Sequence, residues 1–521
     1  MPAWRGRSAG PASAGFHGGR PQSETREPRP ALAAATPPRD GQMSERRTAS
    51  VGRVLLVSVN CESDPHPVYP IGLDYLSAAL RAAGFECPVF DRRMAAQTGA
   101  RLAEAVAEAR PDVVGISVRN IDNNDSVGLK KYFPDLVEAV AEIRSAVGAP
   151  IVLGGSGYSL FPLELLARTG ADYGVVGPGE GVIAELVRRL RGGLDPRGLP
   201  GVACRGDRDP PALSAPGGLF GGAAERDGAL LKHYWEAGGL INVQTSRGCP
   251  HACVYCTYPV LESGRVRERS AADVADEIQA LFERHGVDRF FVVDSVFNDR
   301  PGRVNEFAGE LLARRLPVRW TGFFKPAGLN CKDLELWKTA GLDEIEFGVD
   351  TLDSALLERW GKPFRVADAM DAARACASLD VPYAMYILFG GPGENGETME
   401  RTIAAAMECP AAVVFAFLGM RVYPGTRLHA IALEEGVVGE CADLMEPVFY
   451  VSPALDRGRV EARLAEVGRM PNWLVAGRSM QTRSRMAELM RRRGMKGSLW
   501  RLLRPGRSGA SPESSGPAPA R

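Results

Sequence analysis

Apolar runs alternate with amphipathic segments through residues 53–205 of the chain. The run RVLLVSVN (Arg53–Asn60) is apolar almost throughout, and the segment GLDYLSAALRAAG after it has apolar positions at helical spacing and ends at a glycine. The alternation continues with PDVVGISVRN, APIVLGGSG and ADYGVVG. Apolar strands joined by helices at short connections predict an α/β domain with a doubly wound parallel sheet covered on both faces.

A second series of strands and helices begins at about residue 237. Its apolar runs are LINVQTSRGC, DRFFVVDSVFN, VRWTGFFKP, DEIEFGVDT, PYAMYILFGG and AVVFAFLGMRVYPGT, with helical segments such as AADVADEIQALFERHG between them. Six strands with helical crossovers predict a partial (βα)6 barrel. The active site of such a barrel is expected at the C-terminal ends of its strands.

Composition changes around these two series mark the predicted domain boundaries. Residues 1–50 are rich in Arg, Pro, Ala, Gly and Ser and have few large apolar residues to bury, which predicts disorder. Because the leader is rich in arginine and poor in acidic residues, one interpretation is a transit peptide. The other is that translation starts at Met43 and the leader is not part of the protein. The predicted order is a disordered leader (1–50), a first domain (51–205), a linker (206–236), a barrel (237–455) and a helical basic region ending in disorder (456–521).

Net charge and cysteine usage restrict the partners and the cellular setting. Lys and Arg together number 63, as do Asp and Glu, so the overall charge gives no case for a nucleic-acid partner. The ten cysteines are scattered apart from one cluster, which is not the pattern of a disulfide framework. The sequence has neither a membrane-spanning apolar run nor a signal-peptide pattern. These features predict a cytoplasmic protein.

The cysteine cluster has the spacing C-x3-C-x2-C. Cys249, Cys253 and Cys256 lie in SRGCPHACVYCTYP, directly after the first barrel strand, where an active site is expected. A structural zinc site would need a fourth ligand, and His251 is the local candidate, but such sites usually combine two separate C-x2-C units. Three thiolates on one loop suit an iron–sulfur cubane better, because each binds one iron and leaves the fourth iron open.

The motif CPHACVYC after the first strand of a six-unit βα barrel resembles the signature of the radical SAM superfamily, with Tyr255 at the aromatic position. The resemblance implies a [4Fe-4S] cluster held by the three cysteines, which are then both the catalytic and the metal-binding residues. It further implies that the open iron binds S-adenosylmethionine (SAM), which is cleaved to a 5'-deoxyadenosyl radical. An electron donor such as a flavodoxin or ferredoxin is expected as a partner.

The same resemblance places candidate SAM contacts at the ends of the barrel strands. Backbone atoms of the aromatic residue and the FGGPGE turn are expected near adenine, and an aspartate after the second strand near the methionine amino group. Ribose and the SAM carboxylate are expected near strands four and six. The expected contacts are Tyr255, Asp294, Ser295, Asp350, Gly390, Gly391 and Arg421. At several of these positions a helix cap or a turn is the alternative.

The first domain, directly before such a barrel, resembles the flavodoxin-like cobalamin-binding domain of B12-dependent radical SAM enzymes. The likeness rests on P-x-G-L at Pro70–Leu73, VLGG at Val152–Gly155 and GPGEG at Gly177–Gly181. Glycine-rich turns at strand ends allow the backbone to approach a flat macrocycle closely. The expected cobalamin contacts are Tyr69, Gly72, Arg119, Asn120, Gly154, Gly155, Gly177, Gly179 and Glu180.

His66 in this domain is a candidate ligand of cobalt. The stretch Asp64–His66 nearly matches D-x-H-x-x-G, the motif by which other cobalamin proteins offer histidine to cobalt. However, Tyr69 replaces the motif's glycine, and prolines flank His66 on both sides. A loop histidine without cobalt contact is therefore the favoured interpretation, with Tyr69 a neighbour of the lower face of cobalt.

The chain becomes strongly basic towards its end. Between Arg483 and Arg507, basic residues greatly outnumber the one acid, Glu488, and apolar residues lie among them. This pattern fits peripheral contact with an anionic membrane, or a solvated helix with a disordered end. The TYP, DSVFN and FGGPGE motifs make the barrel most similar to B12-binding radical SAM proteins of lipid biosynthesis.

Together these features predict a cobalamin-dependent radical SAM C-methyltransferase. It would act on an unactivated carbon of a small-molecule or lipid-like substrate, by way of the 5'-deoxyadenosyl radical and methylcobalamin. One alternative keeps both cofactors but catalyses a rearrangement or cyclisation without methyl transfer. An alternative from another class is a metal-binding sensor module.

Overall fold

The computed structural model describes residues 51–64, 66–214, 226–262, 264–477, 486–487 and 489–505. The predicted disordered leader, the middle of the predicted linker and the last residues of the chain lie outside the described residues. Within these ranges, no helix combines the length and the apolar character that a membrane crossing requires.

The described part of the first domain forms one six-stranded sheet in the order β2-β1-β3-β4-β5-β6. Strands β1 to β5 run parallel, and only β6 is antiparallel to its neighbour. The strands are β1 Val54–Ser58, β2 Val89–Asp91, β3 Val113–Ser117, β4 Ile151–Gly154, β5 Tyr173–Val175 and β6 Val202–Cys204. The order reverses between β1 and β3, which is the place where doubly wound sheets open a ligand crevice.

Helices cover both faces of this sheet, as the apolar strands predicted. In β1, Val54 and Leu56 belong to the apolar core on one face, and Leu55 and Val57 to the core on the other. The helices are α1 Ile71–Ala82, α2 Arg92–Thr98, α3 Leu102–Ala109, α4 Phe133–Ala146, α5 Ser156–Leu160, α6 Pro162–Thr169 and α7 Ile183–Arg191. One of the two cores also includes Trp360 from the second domain, so the domains share buried apolar surface.

The second domain has the predicted alternation of strands and helices. Its strands are β7 Ile241–Val243, β8 Ser246–Arg247, β9 Arg267–Glu268, β10 Arg289–Val292, β11 Arg319–Phe324, β12 Leu342–Asp350, β13 Tyr383–Phe389, β14 Val413–Leu418, β15 Met420–Arg421, β16 Phe449–Tyr450 and β17 Trp473–Val475. Its helices are α8 Gly228–Gly238, α9 Tyr258–Glu262, α10 Ala271–His285, α11 Arg303–Ala313, α12 Cys331–Thr339, α13 Ser354–Arg359, α14 Val366–Ser378, α15 Gly396–Glu408, α16 Arg427–Glu434 and α17 Arg457–Val467, with a 3-10 helix at Leu499–Leu503.

Among the described residues, the barrel sheet has seven strands rather than the expected six. They run parallel in the order β17-β14-β13-β12-β11-β10-β7. The added strand, β17, pairs with β14 and lies in the region predicted to be helical, so the barrel sheet extends past residue 455 to Val475. Only three residues long, β17 gives too short an apolar run to stand out in the sequence.

The described residues 486–487 and 489–505, here called the C-terminal segment, pack against the barrel. Trp500 Nε1 donates a hydrogen bond to Glu346 Oε1 in β12 at 3.1 Å. Arg501 pairs with Asp343 at 2.8 Å, and Arg504 pairs with Asp380 at 2.9 Å. This part of the basic region is therefore a wall of the barrel rather than a freely solvated helix.

A buried ionic network around Arg226 connects α1 of the first domain with β7 and α10 of the second domain. Arg226 donates to Asn242 O in β7 at 2.9 Å and pairs with Glu277 of α10, which Arg269 also binds at 2.6 Å. Arg226 also lies 3.9 Å from Asp74 of α1. Burial raises the pKa of Asp74 to about 7, even with the guanidinium nearby. The network fixes the strand that leads into the cysteine loop.

Candidate active site

The cysteine loop is held in place by backbone contacts. Strands β8 and β9 pair on either side of it. Gly248, just before the first cysteine, has a φ of +92°, and a Cβ there would lie 1.9 Å from Arg265 O, so only glycine fits. Val254 N–H donates to Trp360 O at 2.9 Å, and Val254 O accepts from Leu428 N–H at 2.8 Å. The C-terminal end of α13 and the first turn of α16 thus fix the position of the cysteine loop.

The donor set at this loop fits an iron–sulfur cubane and not a single zinc ion. In the described part of the chain, no three Cys, His, Asp or Glu side chains converge as one metal ion requires. A cubane needs wider spacing, because each thiolate binds a different iron. His251 is engaged elsewhere, since its Nε2 lies 2.7 Å from Asp299 Oδ1. The three cysteines are therefore the residues that would hold the cluster.

Two polar side chains that border the loop are tied to Asp350. Tyr255 O–H donates to the Asp350 carboxylate, which also pairs with Lys362. Burial raises the pKa of Cys256 to about 12, although Lys362 acts in the opposite direction. A buried cation beside the thiols suits a site whose thiolate ligands carry negative charge. No sequence pattern singled out Lys362, which lies in an ordinary loop.

Asp294 is bound entirely within the protein in this arrangement. One carboxylate oxygen accepts from the N–H groups of Thr245 and Ser246 at 2.7 and 2.9 Å, and the other accepts from their hydroxyls at 2.5 and 2.6 Å. The aspartate thus fixes the end of the first barrel strand. Its contact with the SAM amino group stays a prediction and would require exchange of one of these bonds. The neighbouring Ser295 lies near the Tyr258 hydroxyl, and its contact with SAM stays a prediction.

The FGGPGE turn after β13 is built around a buried carboxylate. Glu394 accepts hydrogen bonds from the N–H groups of Gly390 and Gly391. Gly390 has a φ of +95°, and a Cβ on Gly391 would lie 2.2 Å from the Trp360 ring. The glycines are required by the turn itself, while their predicted contact with adenine remains open to test.

Replacing Glu394 by glutamine is expected to change how stability depends on pH. Burial raises the Glu394 pKa to about 7, outweighing the two N–H donors, whereas an unfolded chain has a value near about 4.3. Between these values the folded state holds a proton that the unfolded state has released, so wild-type stability falls as pH rises. Over this pH range the wild type loses about 3 kcal/mol of its free energy of unfolding through Glu394. The variant has no ionisable group at this position and does not show this loss.

Chemical unfolding of both proteins at pH 5 and pH 7.5 measures the effect. The free energy of unfolding of Glu394→Gln, relative to wild type, should rise between the two pH values. A difference that stays constant would show that Glu394 is ionised at both.

Arg421 is bound entirely by protein groups. Its Nε donates to Asp122 Oδ2 of the first domain at 3.0 Å, and its two terminal nitrogens donate to Val422 O and Leu444 O at 2.6 and 2.7 Å. The side chain is buried, and every nitrogen has a protein partner. Arg421 therefore joins the domains, and its contact with the SAM carboxylate stays a prediction that would require exchange of one of these bonds.

A cavity of about 300 Å³ opens at the switch point of the first sheet. Predicted cobalamin contacts line it, together with barrel residues such as Gln244 and Tyr258. Gly155 has a φ of +101°, and a Cβ there would lie 2.6 Å from Val118 O, so this turn needs glycine. The predicted contacts that line the cavity are Gly72, Gly154, Gly155, Gly177, Gly179 and Glu180. Its glycine-rich wall fits a large flat cofactor.

Of the predicted cobalamin contacts, Glu180 has a protein partner at the cavity wall, and Tyr69 and Asn120 lie outside the cavity. Glu180 pairs with Arg247 of the barrel at 2.7 Å, so its carboxylate is occupied by an interdomain ion pair. Tyr69 is buried, and its hydroxyl donates to Asp74 at 3.1 Å. Asn120 lines a separate void of only about 10 Å³. For Glu180 and Tyr69 the structure indicates a role in joining helices and domains.

A second cavity of about 360 Å³, here called the central cavity, lies between the first domain, the barrel and the C-terminal segment. His66, Tyr69 and Arg119 border it on the first-domain side. Burial, with Arg491 and Arg119 nearby, lowers the pKa of His66 to about 3, so its imidazole is neutral. Barrel residues on the wall include Asn242, Phe291, Phe323, Glu346, Tyr386, Phe415 and Leu474. Sequence reasoning did not identify this set, because the residues lie within ordinary apolar strands.

Two family models match the chain in the order that the domains predict. The model described as B12 binding domain matches residues 57–187, and the model described as Radical SAM superfamily matches residues 243–406. A tryptophan 2-C-methyltransferase from Streptomyces laurentii is 28% identical over 443 residues, covering 72% of this chain and 73% of that protein.

Solved structures of a radical SAM methyltransferase, TsrM, from Kitasatospora setae have the same fold. One, with tryptophan and a SAM analogue bound, has a TM-score of 0.78 at 25% identity and covers 87% of this chain and 98% of that one. Another, with cobalamin and a [4Fe-4S] cluster bound, has a TM-score of 0.74 at 25% identity and covers 85% and 100%. These matches confirm the predicted fold class and the three cofactors. Since both family models match in order, the chain has a B12-binding domain followed by a radical SAM domain, and it is similar over most of its length to cobalamin-dependent radical SAM methyltransferases.

Proposed function

We propose that the protein methylates a carbon atom of a small molecule bound in the central cavity. The position of this cavity carries the proposal. Residues of the first domain border it on one side and barrel strands on the other. A molecule in the cavity would thus lie between the domain suited to cobalamin and the barrel suited to the cluster, an arrangement that favours transfer between held groups.

The chain's own residues prepare this reaction by positioning and by exclusion of water. When bound, the cluster and SAM would supply one-electron chemistry, and cobalamin would carry the methyl group. Cys249, Cys253 and Cys256 would hold the cluster, and Lys362 would provide a positive charge beside it. The C-terminal segment covers the cavity wall and keeps water from the reacting carbon.

The size of the central cavity supports a small substrate. Its volume of about 360 Å³ is in the range of small-molecule sites, and the relative from Streptomyces laurentii is named for tryptophan. A lipid-like substrate, peripheral membrane contact and a cytoplasmic location stay predictions. We also propose that a reduced flavodoxin or ferredoxin supplies the electrons.

Anaerobic reconstitution with iron, sulfide and hydroxocobalamin, followed by addition of a reduced flavodoxin as electron donor and of methyl-labelled SAM, tests the proposal. We expect label in the protein-bound cobalamin fraction together with S-adenosylhomocysteine, even before the substrate is known. With L-tryptophan and a panel of small aromatic compounds, we expect a product heavier by one methylene from a true substrate.

Two results would favour the other functions. Substrate turnover with 5'-deoxyadenosine but without methylated product would indicate a rearrangement or cyclisation. Failure to load about four irons, with no spectral response to SAM, would favour a sensor, although the comparisons give that alternative no support.

A further inference from the structure

Glu346 is an acidic group in the wall of an otherwise mainly apolar cavity. It lies in the middle of β12, and its carboxylate accepts from Tyr386 O–H at 2.8 Å and from Trp500 Nε1–H at 3.1 Å. In the part of the chain that the structure describes, no lysine or arginine forms an ion pair with it. A carboxylate has about four acceptor sites, so these two bonds leave it able to accept from a ligand.

Aromatic rings surround this carboxylate and shape the cavity. The rings of Tyr386 and Phe415 stack with centroids 4.7 Å apart, and those of Phe291 and Phe323 meet edge to face at 5.1 Å. All four residues line the central cavity. Flat apolar walls favour a planar apolar ligand, which gains stacking and edge contacts with them. Arg119 and Arg491 also border the cavity and disfavour a cationic ligand.

We infer that Glu346 is the recognition group of the central cavity and accepts a hydrogen bond from a neutral ring N–H or hydroxyl of a planar, mainly apolar small molecule. The inference deepens the proposed function by naming the class of substrate. It rests on the proposed function in one respect, namely that the ligand of the central cavity is the substrate. A buried acceptor selects strongly for a donor, because a ligand without one leaves the carboxylate less solvated than it is in water.

The C-terminal segment positions this group. Trp500 lies next to Arg501, which pairs with Asp343, and close to Arg504, which pairs with Asp380. These contacts hold the indole N–H against the Glu346 carboxylate. Trp500 is accordingly a positioning residue, which acts on the ligand through Glu346.

Binding of indole and benzofuran to the cofactor-loaded protein tests the inference. The two probes have nearly the same shape, and only indole has a ring N–H. By equilibrium dialysis we expect wild type to bind indole at least about tenfold more tightly than benzofuran. Glu346→Met should bring this ratio close to one, with the benzofuran affinity nearly unchanged.

Further variants keep the test informative if Glu346→Met folds poorly. Burial raises the pKa of Glu346 to about 7, so the dialysis is run at a pH well above that value, where the carboxylate is ionised. Under these conditions Glu346→Gln preserves the shape and should lower the ratio by roughly threefold, because a neutral acceptor replaces a charged one. Trp500→Phe should also lower the ratio while leaving benzofuran binding intact, which loss of packing alone would not do. The matched control, Tyr383→Phe, removes a buried hydroxyl of β13 that donates to Pro410 O away from the central cavity, and should keep the wild-type ratio.

Equal wild-type affinities, tighter binding of benzofuran, or no binding of either probe would overturn the inference. So would a ratio that Glu346→Met leaves intact. Failure of methyl transfer in the labelled-SAM assay would instead contradict the proposed function. Because the dialysis requires no turnover, the two failures are distinguishable.

Discussion

Cys256→Ala is expected to remove the cluster and to lower SAM-dependent turnover by at least about a thousandfold, while leaving the protein folded. The three thiols come from one short loop, and the described residues offer no fourth side chain positioned to replace one of them. Iron content and cluster absorbance after anaerobic reconstitution measure the first effect. S-adenosylhomocysteine and 5'-deoxyadenosine formation measure the second.

Two controls separate cluster loss from general damage. Cys331→Ala changes an exposed cysteine at the start of α12 and should retain iron and activity. His251→Ala should also retain iron, because that imidazole bonds Asp299 rather than facing a metal. Iron retention by Cys256→Ala combined with iron loss by His251→Ala would contradict the assignment of ligands. It would indicate that His251 binds the metal, as the zinc alternative requires.

The sequence predicted those features that depend on local pattern. Apolar runs such as Val54–Ser58 located the strands of the first sheet, since strands buried on both faces need apolar residues throughout. Cysteine spacing located the cluster because one loop supplies all three ligands. The alternation of strands and helices gave the order of the domains.

Features that depend on distant contacts were missed. Arg421 binds Asp122, which lies 299 positions earlier in the chain, and no local pattern reveals such a partner. Strand β17 was missed because three residues give a weak signal. The role of Trp500 was missed because it depends on a hydrogen bond to Glu346, a residue far away in the sequence. Tertiary packing decides each of these cases.

Arg226→Met is expected to lower the free energy of unfolding by about 3–5 kcal/mol, because it leaves buried acidic groups without their partner. The guanidinium is almost completely buried and pairs with Glu277 while lying near Asp74. Arg269 still pairs with Glu277 in the variant, but Asp74 has no other basic partner among the described residues. The side chain of methionine is long enough to fill much of the space, so the loss is mainly electrostatic.

The matched control is Arg457→Met, which removes an exposed pair with Glu461 at 2.9 Å and should cost less than about 0.5 kcal/mol. Chemical unfolding of the cofactor-free proteins compares the two. The variant Arg226→Met/Glu277→Gln should be less destabilised than the sum of its single changes, because both act on one network. Equal effects of Arg226→Met and Arg457→Met would contradict the network's role. Since Arg226 also binds the backbone of Asn242 in β7, its loss should loosen the cysteine loop and reduce cluster retention as well as stability.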